Sequence, residues 1–142
     1  MIWIGAGTGI APYRSFIQSR SILQAQGQQL GKCILIAGCR KPEHDQLYAQ
    51  EWLEAERKGL IKVYWAFSRN IIDGVLTKTY VQDVIESNKS ELTELINDGA
   101  NVYVCGDGET IGKAIPIAFG EGLFAKLREE NRVYEDIWGG NK

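Results

Sequence analysis

A chain of 142 residues with 44% hydrophobic and 24% charged residues has the composition of one globular domain with its own core. Its formal net charge of −2 gives no general electrostatic basis for binding nucleic acid or an anionic membrane. No apolar run approaches the ~20 residues of a membrane span, and the three cysteines lack metal-ligand spacing. We expect a cytoplasmic or cytosol-facing protein with reduced thiols and no metal site, any membrane anchor lying outside this chain.

The first segment predicts a strand, a glycine-rich turn and a helix. Residues 1–4 form an apolar run typical of a buried strand, and Pro12 suits the first helical turn, where its missing N–H costs nothing. Three glycines lie between them at alternate positions: Gly5, Gly7 and Gly9. Backbone without Cβ atoms can approach a phosphate closely, and a helix N-terminus favours an anion. The spacing matches neither G-x-G-x-x-G nor a P-loop, so a purely structural turn is an alternative.

Helices and strands alternate along the rest of the chain. Further strands are predicted over residues 33–37, 61–67, 101–105 and 132–138, and a loop over residues 70–79. Helices are predicted over residues 13–26, 45–58, 80–86 and 90–97. A last helix is predicted from about residue 110, bent or broken near Pro116 and resuming over residues 123–130. This alternation predicts an α/β fold, a three-layer doubly wound parallel sheet of about five strands. Residues 1–138 would form the domain and residues 139–142 a flexible tail.

Candidate site residues follow from that fold. In an open parallel sheet, ligands bind outside the carboxyl ends of the strands, at the point where the strand order reverses. The segments at the carboxyl ends of the predicted strands are 5–9, 38–40, 68–69, 105–107 and 136–138. Since all of these would gather at one edge of the sheet, the sequence predicts a site large enough for a nucleotide.

Six short motifs occur along the chain in the order Gly7–Pro12, Gly38–Arg40, Ala66–Arg69, Lys78–Asp83, Val102–Asp107 and Glu135–Trp138. Together they resemble the NADPH-binding domain of the ferredoxin–NADP reductase superfamily, a Rossmann-like domain. Within it the chain is most similar to the diflavin reductases, which include cytochrome P450 reductase, its fusions to P450 monooxygenases, and the reductase parts of sulfite reductase and nitric oxide synthase. Trp138 favours this branch, because the plant-type ferredoxin reductases end in Tyr.

The resemblance implies binding roles for particular residues. Gly7, Thr8 and Gly9 would hold the pyrophosphate and the nicotinamide ribose, with Arg40 nearby. The pocket for the adenosine 2′-phosphate and the adenine would be formed by Ser68, Arg69, Lys78, Tyr80 and Gln82. Asp107 ends the fifth motif and is also predicted to contact the cofactor. The loop between Arg69 and Lys78 is longer and more apolar than in the family, so we expect a smaller contribution from Lys78.

The resemblance also implies a catalytic group. Cys105 would lie beside the nicotinamide C4, Asp136 would be a polar partner in hydride transfer, and Trp138 would lie over the flavin ring. A thiol is small and weakly polar, so Cys105 is interpreted as a positioning group and not as a nucleophile. Without the resemblance, a buried Cys105 would be interpreted as a core residue.

The charges favour NADP over NAD. A 2′-phosphate carries nearly two negative charges, which Arg69 and Lys78 can meet with charge-assisted hydrogen bonds. An NAD-preferring domain more often places an acidic residue at the end of its second strand. This chain has Gly38–Arg40 there.

The sequence therefore predicts a domain excised from a larger flavoprotein, which binds NADP(H) and presents it to an FAD held by a preceding domain. FMN and a haem protein such as cytochrome P450 would follow, and the chain alone would lack activity. We expect no contact with nucleic acid or membrane. One alternative is the NADP-binding domain of an FAD-only ferredoxin or flavodoxin reductase or of sulfite reductase flavoprotein. Another is a non-catalytic nucleotide-binding module, which would not need Cys105, Asp136 and Trp138 together.

Overall fold

The computed structural model describes residues 1–139, so residues 140–142 of the predicted tail lie outside the described residues. The strands are β1 (Ile2–Ala6), β2 (Ile34–Cys39), β3 (Lys62–Phe67), β4 (Asn70–Ile72), β5 (Val75–Thr77), β6 (Val102–Asp107) and β7 (Val133–Trp138). The helices are α1 (Pro12–Ala25), α2 (Ala49–Arg57), α3 (Val81–Ser87), α4 (Lys89–Asn97), α5 (Lys113–Phe119) and α6 (Glu121–Glu129). No helix among residues 1–139 combines the length and the hydropathy that crossing a membrane requires.

Five strands form one parallel sheet in the order β3-β2-β1-β6-β7. The chain leaves β1 towards β2 and β3, and then crosses back to place β6 on the other side of β1. The strand order therefore reverses between β1 and β6. The predicted doubly wound α/β sheet of five strands is confirmed.

Each face of the sheet buries its own layer of helices. Ile2 and Ile4 pack with residues of α3, α4, α5 and α6 in one core cluster. Trp3 lies on the opposite face and packs with α1 and α2 in a second cluster. Because successive side chains of a strand point to opposite faces, a strand covered on both faces must be apolar throughout. This explains the continuous apolar runs of β1 and β2.

The predicted loop over residues 70–79 is wrong, because the segment forms an antiparallel hairpin of β4 and β5. Its two-residue turn, Asp73-Gly74, has φ values of 50° and 78°. Two positive φ values are typical of a type I′ turn, whose twist suits a tight hairpin, and Asp-Gly is one of its preferred sequences. The flanking Ile and Val residues were the second available signal for strands.

Two helices differ from their predicted bounds. α2 begins at Ala49 instead of residue 45, after Tyr48 adopts a left-handed conformation with a φ of 59°. The bend or break predicted near Pro116 lies instead at Gly120, where φ is 96°: α5 continues through Pro116 to Phe119, and a separate helix, α6, follows from Glu121. Pro116 lies near the start of α5, directly after a π-helical turn at Gly108–Gly112, where its ring meets little preceding α-helix.

The three cysteines are free thiols. Burial raises the pKa of Cys33 to about 11. The pKa of Cys39 is also raised to about 11, mainly by burial and to a smaller extent by the negative charge of Asp45. Both thiols are therefore protonated at neutral pH, and a protonated thiol is a poor nucleophile. Neither residue was given a role by the sequence, and their pKa values agree with that interpretation.

Candidate functional site

The glycine-rich segment between β1 and α1 forms a short 3₁₀ turn at Gly7–Ile10. A Cβ atom on Gly9 would overlap the carbonyl oxygen of Cys105 in β6, and one on Gly5 would lie 2.9 Å from the carbonyl carbon of Gly9. These two glycines are thus required where one backbone segment crosses another. Gly7 differs, because its φ is +55° and no atom from another part of the described chain lies within 4 Å of its Cβ position. Only Gly7 presents open backbone to a ligand.

A cavity of about 970 Å³ lies over the carboxyl ends of β1, β2 and β3, within the size range of ligand sites. We call it the main cavity, and its lining includes Gly7, Thr8, Gly38, Arg40, Ser68 and Gln82. Of the residues predicted to hold the pyrophosphate, Gly7 and Thr8 line it, whereas Gly9 is buried and does not. The Thr8 hydroxyl has no hydrogen-bond partner within the described part of the chain, so its oxygen is available to a ligand.

A second cavity, of about 580 Å³, adjoins the main cavity and shares Arg40, Ser68 and Tyr80 with it. We call it the cationic pocket. Its lining consists of Arg40, Lys41, Ser68, Arg69, Ile71, Leu76, Lys78 and Tyr80. Four of these eight residues are cations and none is acidic. The structure thus brings together four of the five residues predicted to surround a 2′-phosphate and adenine, while Gln82 lines the main cavity.

Backbone hydrogen bonds hold the cations of this pocket together. The β2–β3 pairing extends past the strands, where Ser68 N–H donates to the Cys39 carbonyl at 2.9 Å and Arg69 N–H to the Arg40 carbonyl at 2.7 Å. The antiparallel hairpin of β4 and β5 then brings the chain back to the end of β3, where Thr79 N–H donates to the Phe67 carbonyl at 2.9 Å. Lys78 consequently lines the same pocket as Arg69 in spite of the long intervening segment.

The four cationic side chains have no internal counter-charge. Among residues 1–139, eight other Lys or Arg side chains form ion pairs with carboxylates. In the same described range, the side chains of Arg40, Lys41, Arg69 and Lys78 make no ion pair and no hydrogen bond. Like charges gathered without a partner repel one another, so an anion is stabilised among them. Sequence reasoning missed Lys41, whose signal was its place directly after Arg40.

The start of α3 fixes Tyr80 between the two cavities. Tyr80 N–H donates to the Asp83 carboxylate at 2.7 Å, a contact that anchors the first turn of a helix. The Tyr80 side chain is 46% exposed and lines both cavities. Gln82 lies two residues further on and lines the main cavity. The three positions of this motif predicted to face the ligand, Lys78, Tyr80 and Gln82, therefore all line a cavity.

Asp107 has a structural role. Its carboxylate accepts hydrogen bonds from the N–H groups of Glu109 at 2.9 Å and Thr110 at 3.2 Å, which caps the π-helical turn after β6. Asp107 lines neither cavity. The cap accounts for an acidic residue at this strand end, and the predicted contact with a cofactor stays a prediction.

Cys105, Asp136 and Trp138 lie on the neighbouring strands β6 and β7. Cys105 pairs in register with Asp136, and Asp107 pairs with Trp138. Cys105 is buried, while Asp136 and the 45% exposed Trp138 face solvent. The three line neither cavity. Burial, and to a smaller extent the charge of Asp136, raises the pKa of the Cys105 thiol. A protonated thiol agrees with a positioning group, and the catalytic roles stay predictions.

The fold and the paired cavities define a class of protein. A glycine turn follows the first strand of a doubly wound parallel sheet, and a cationic pocket lies at the same carboxyl edge. This is the arrangement of a dinucleotide-binding α/β domain, in which the ligand crosses the edge of the sheet near the switch point.

Comparison with known proteins specifies the class. A family model described as "Oxidoreductase NAD-binding domain" matches residues 3–114. The bifunctional cytochrome P450/NADPH–P450 reductase 2 of Bacillus subtilis is 38% identical over 99% of this chain and 14% of its own length. The NADPH–cytochrome P450 reductase of Salmo trutta is 36% identical over 97% of this chain and 25% of its own length. That of Sus scrofa is 39% identical over 84% and 17%.

The chain belongs to the oxidoreductase NAD-binding domain family. Its similarity to NADPH–cytochrome P450 reductases and to a P450–reductase fusion confirms the resemblance recognised in the sequence. The chain spans between 14% and 25% of the length of these three relatives.

Proposed function

We propose that residues 1–138 form the NADP(H)-binding domain of an NADPH-dependent diflavin reductase, with residues 139–142 as a tail. The observation that carries the proposal is the cationic pocket, which adjoins the main cavity lined by Gly7 and Thr8 of the glycine turn. Four unpaired cations, with no carboxylate in the lining, suit the nearly dianionic 2′-phosphate that distinguishes NADP from NAD. The names of the relatives, which are NADPH reductases, support the same cofactor.

The residues present fit that cofactor at each charged group. Gly7 has no side chain to obstruct a pyrophosphate, and the Thr8 hydroxyl has no competing partner within residues 1–139. Arg69 and Lys78, with Arg40 and Lys41, would hold the 2′-phosphate. The two cavities share Arg40, which could therefore contact either the pyrophosphate in the main cavity or the 2′-phosphate in the cationic pocket.

Bound NADPH would supply a hydride from its nicotinamide ring to a flavin. In this proposal the chain's own residues shape the place where that occurs. Cys105 presents a small, protonated thiol that cannot act as a competing base, because burial raises its pKa. Asp136 provides an exposed carboxylate beside it, and Trp138 provides a large apolar surface at the end of β7.

FAD, FMN and the acceptor would be held elsewhere. We propose an FAD-binding domain of the same polypeptide as the direct partner, an FMN domain and a haem protein such as cytochrome P450 downstream, and a cytoplasmic or cytosol-facing location. The names of two bifunctional relatives, which combine a cytochrome P450 with an NADPH–P450 reductase, support a P450 as the acceptor.

The isolated chain should bind NADP⁺ and no flavin. Its cavities carry phosphate-binding features, and no flavin-binding stretch was recognised in the sequence. Calorimetric titration should give a saturable NADP⁺ isotherm, and the purified chain should show no flavin absorbance and no reduction of ferricyanide by NADPH. A yellow preparation, or sustained ferricyanide reduction, would contradict the assignment to a nucleotide-only domain.

Replacing Trp138 by Ala in a reductase that contains this domain should reduce its preference for NADPH over NADH about tenfold. If Trp138 covers the flavin, it must be displaced before the nicotinamide can take that position, and the 2′-phosphate contacts provide the binding energy. An indole carries about 150–250 Å² of surface, and re-exposing a third of it costs ~1.4 kcal/mol, or tenfold in rate. Steady-state kinetics with both nucleotides test this. An unchanged preference would mean that Trp138 does not cover the flavin.

A further inference from the structure

The β4–β5 hairpin exposes four large aliphatic side chains. Their exposed fractions are 66% for Ile71, 53% for Ile72, 63% for Val75 and 54% for Leu76. Ile71 pairs with Leu76, and Ile72 pairs with Val75. Because side chains alternate along a strand, each pair occupies one face of the hairpin. Each face therefore carries one pair of exposed aliphatic side chains, and the two pairs can be compared directly.

The two faces differ in their relation to the cationic pocket. Ile71 and Leu76 line the cationic pocket, whereas Ile72 and Val75 line neither of the described cavities. The other six residues of the pocket are four cations, Ser68 and Tyr80. Ile71 and Leu76 thus provide its aliphatic wall, and the exposed Tyr80 side chain provides an aromatic surface in the same pocket.

This combination indicates a ligand with two different parts. A free phosphate ion needs cations and hydroxyls, but gains nothing from an aliphatic wall. A volume of about 580 Å³ also exceeds what one phosphate needs. A purine ring has apolar faces, which lose water when they pack against aliphatic or aromatic side chains. A phosphate attached to an adenine nucleoside would use all three kinds of surface.

We propose that the hairpin is a specificity element for the adenine ring, contacted by Ile71 and Leu76, while the four cations hold the 2′-phosphate. This rests on the proposed NADP(H) function and extends it to residues of the hairpin. The hairpin makes affinity depend on the base, and the cations make it depend on the phosphate. The backbone bond from Thr79 to Phe67 closes the base of the hairpin and keeps its inner face at the pocket.

The two faces of the hairpin provide a matched pair of variants for the test. I71S/L76S removes the inner pair, and I72S/V75S removes the outer pair from the same two strands. Both change two large aliphatic side chains to Ser and leave every cation in place. Circular dichroism and urea unfolding establish that both variants keep the fold of the parent chain.

The experiment measures the affinity of each protein for 2′-AMP and for inorganic phosphate by calorimetry or NMR titration. I71S/L76S should bind 2′-AMP about 5- to 30-fold more weakly, which is the ~1–2 kcal/mol of packing two aliphatic side chains on a ring. Its affinity for inorganic phosphate should be unchanged, and I72S/V75S should resemble the parent chain for both ligands.

Four results would overturn the inference, and only the fourth would also overturn the proposed function. Equal losses of 2′-AMP affinity in the two variants would mean that the hairpin as a whole, and not its inner face, supports the pocket. An equal loss of phosphate and 2′-AMP affinity in I71S/L76S would mean that the inner pair only positions the cations. Normal 2′-AMP binding by I71S/L76S would refute the base contact while leaving the NADP(H) function intact. Failure of the parent chain to bind NADP⁺ would refute both proposals.

Discussion

Replacing Gly9 by Ala should destabilise the chain by about 3 kcal/mol, the upper end of the range for overpacking a buried position. The added Cβ atom would overlap the carbonyl oxygen of Cys105 and would lie 3.0 Å from its carbonyl carbon. This overlap is difficult to relieve, because the segment that carries the new Cβ atom and the Cys105 carbonyl are both held as backbone. The turn at Gly7–Ile10 is held between β1 and α1, and β6 is paired on both sides, by β1 and β7.

Gly7→Ala provides the comparison. No atom from another part of the described chain lies within 4 Å of its Cβ position, so the cost is limited to placing a non-glycine residue at a φ of +55°, about 1–2 kcal/mol. Urea unfolding of the two variants and the parent chain measures both values. Equal destabilisation would contradict the assignment of Gly9 to a backbone crossing and Gly7 to an open turn.

The same two variants separate folding from ligand binding. Gly7 lines the main cavity and Gly9 does not, so Gly7→Ala should weaken NADP⁺ while the protein remains folded. Under conditions where Gly9→Ala is still folded, its affinity should be closer to that of the parent. The resemblance assigned both glycines to the pyrophosphate, and this comparison tests that assignment residue by residue.

The sheet could be predicted from the sequence because its signals are local. Residues 33–37 and 102–105 are apolar throughout, and such runs form wherever a parallel strand is covered on both faces. The alternation with helices then leaves few topologies. The hairpin at residues 70–77 also had a local signal, because an Asp73-Gly74 turn lies between β-branched residues. This segment was nevertheless predicted as a loop.

The site was less predictable, because its properties depend on distant segments. That Gly9 touches Cys105 depends on how a turn packs on a strand almost a hundred residues later. The cationic pocket joins Arg40 and Lys41 to Arg69 and Lys78 through the β2–β3 pairing. The family resemblance supplied two of these cations together, but not Lys41 or the apolar wall of the hairpin. Sequence spacing alone predicts neither the contact between Gly9 and Cys105 nor the gathering of these cations in one pocket.

Asp107 shows a further limit of strand-end reasoning. Acidic and polar residues follow parallel strands both to bind ligands and to cap the next turn. The sequence position is the same in the two cases. Only the hydrogen bonds from Glu109 and Thr110 distinguish them, and these require the path of the backbone after β6.

Replacing Arg69 by Ala should weaken NADP⁺ binding about 10- to 150-fold and leave NAD⁺ nearly unchanged. The physical basis is the loss of a charge-assisted hydrogen bond, worth about 1.5–3 kcal/mol. Arg69 has no ion pair within residues 1–139, so the substitution leaves no carboxylate unpaired and should cost little stability. Lys78→Ala should act in the same direction with a smaller effect, because an ammonium group is a flexible point charge without the planar fork of Arg.

Arg57→Ala is the matched control for charge. Arg57 is an exposed residue at the end of α2 and lines neither cavity. Its replacement by Ala therefore removes one positive charge, as Arg69→Ala does, but leaves the cationic pocket unchanged. Calorimetric titration of all three variants with NADP⁺ and NAD⁺ gives the required comparison.

Equal losses for both nucleotides in Arg69→Ala would mean that Arg69 supports the pocket's shape, since NAD⁺ lacks the 2′-phosphate. A similar loss of NADP⁺ affinity in Arg57→Ala would mean that net charge alone attracts the nucleotide. A selective loss confined to the pocket variants can come only from a contact with the 2′-phosphate, because that group is the sole chemical difference between the two ligands.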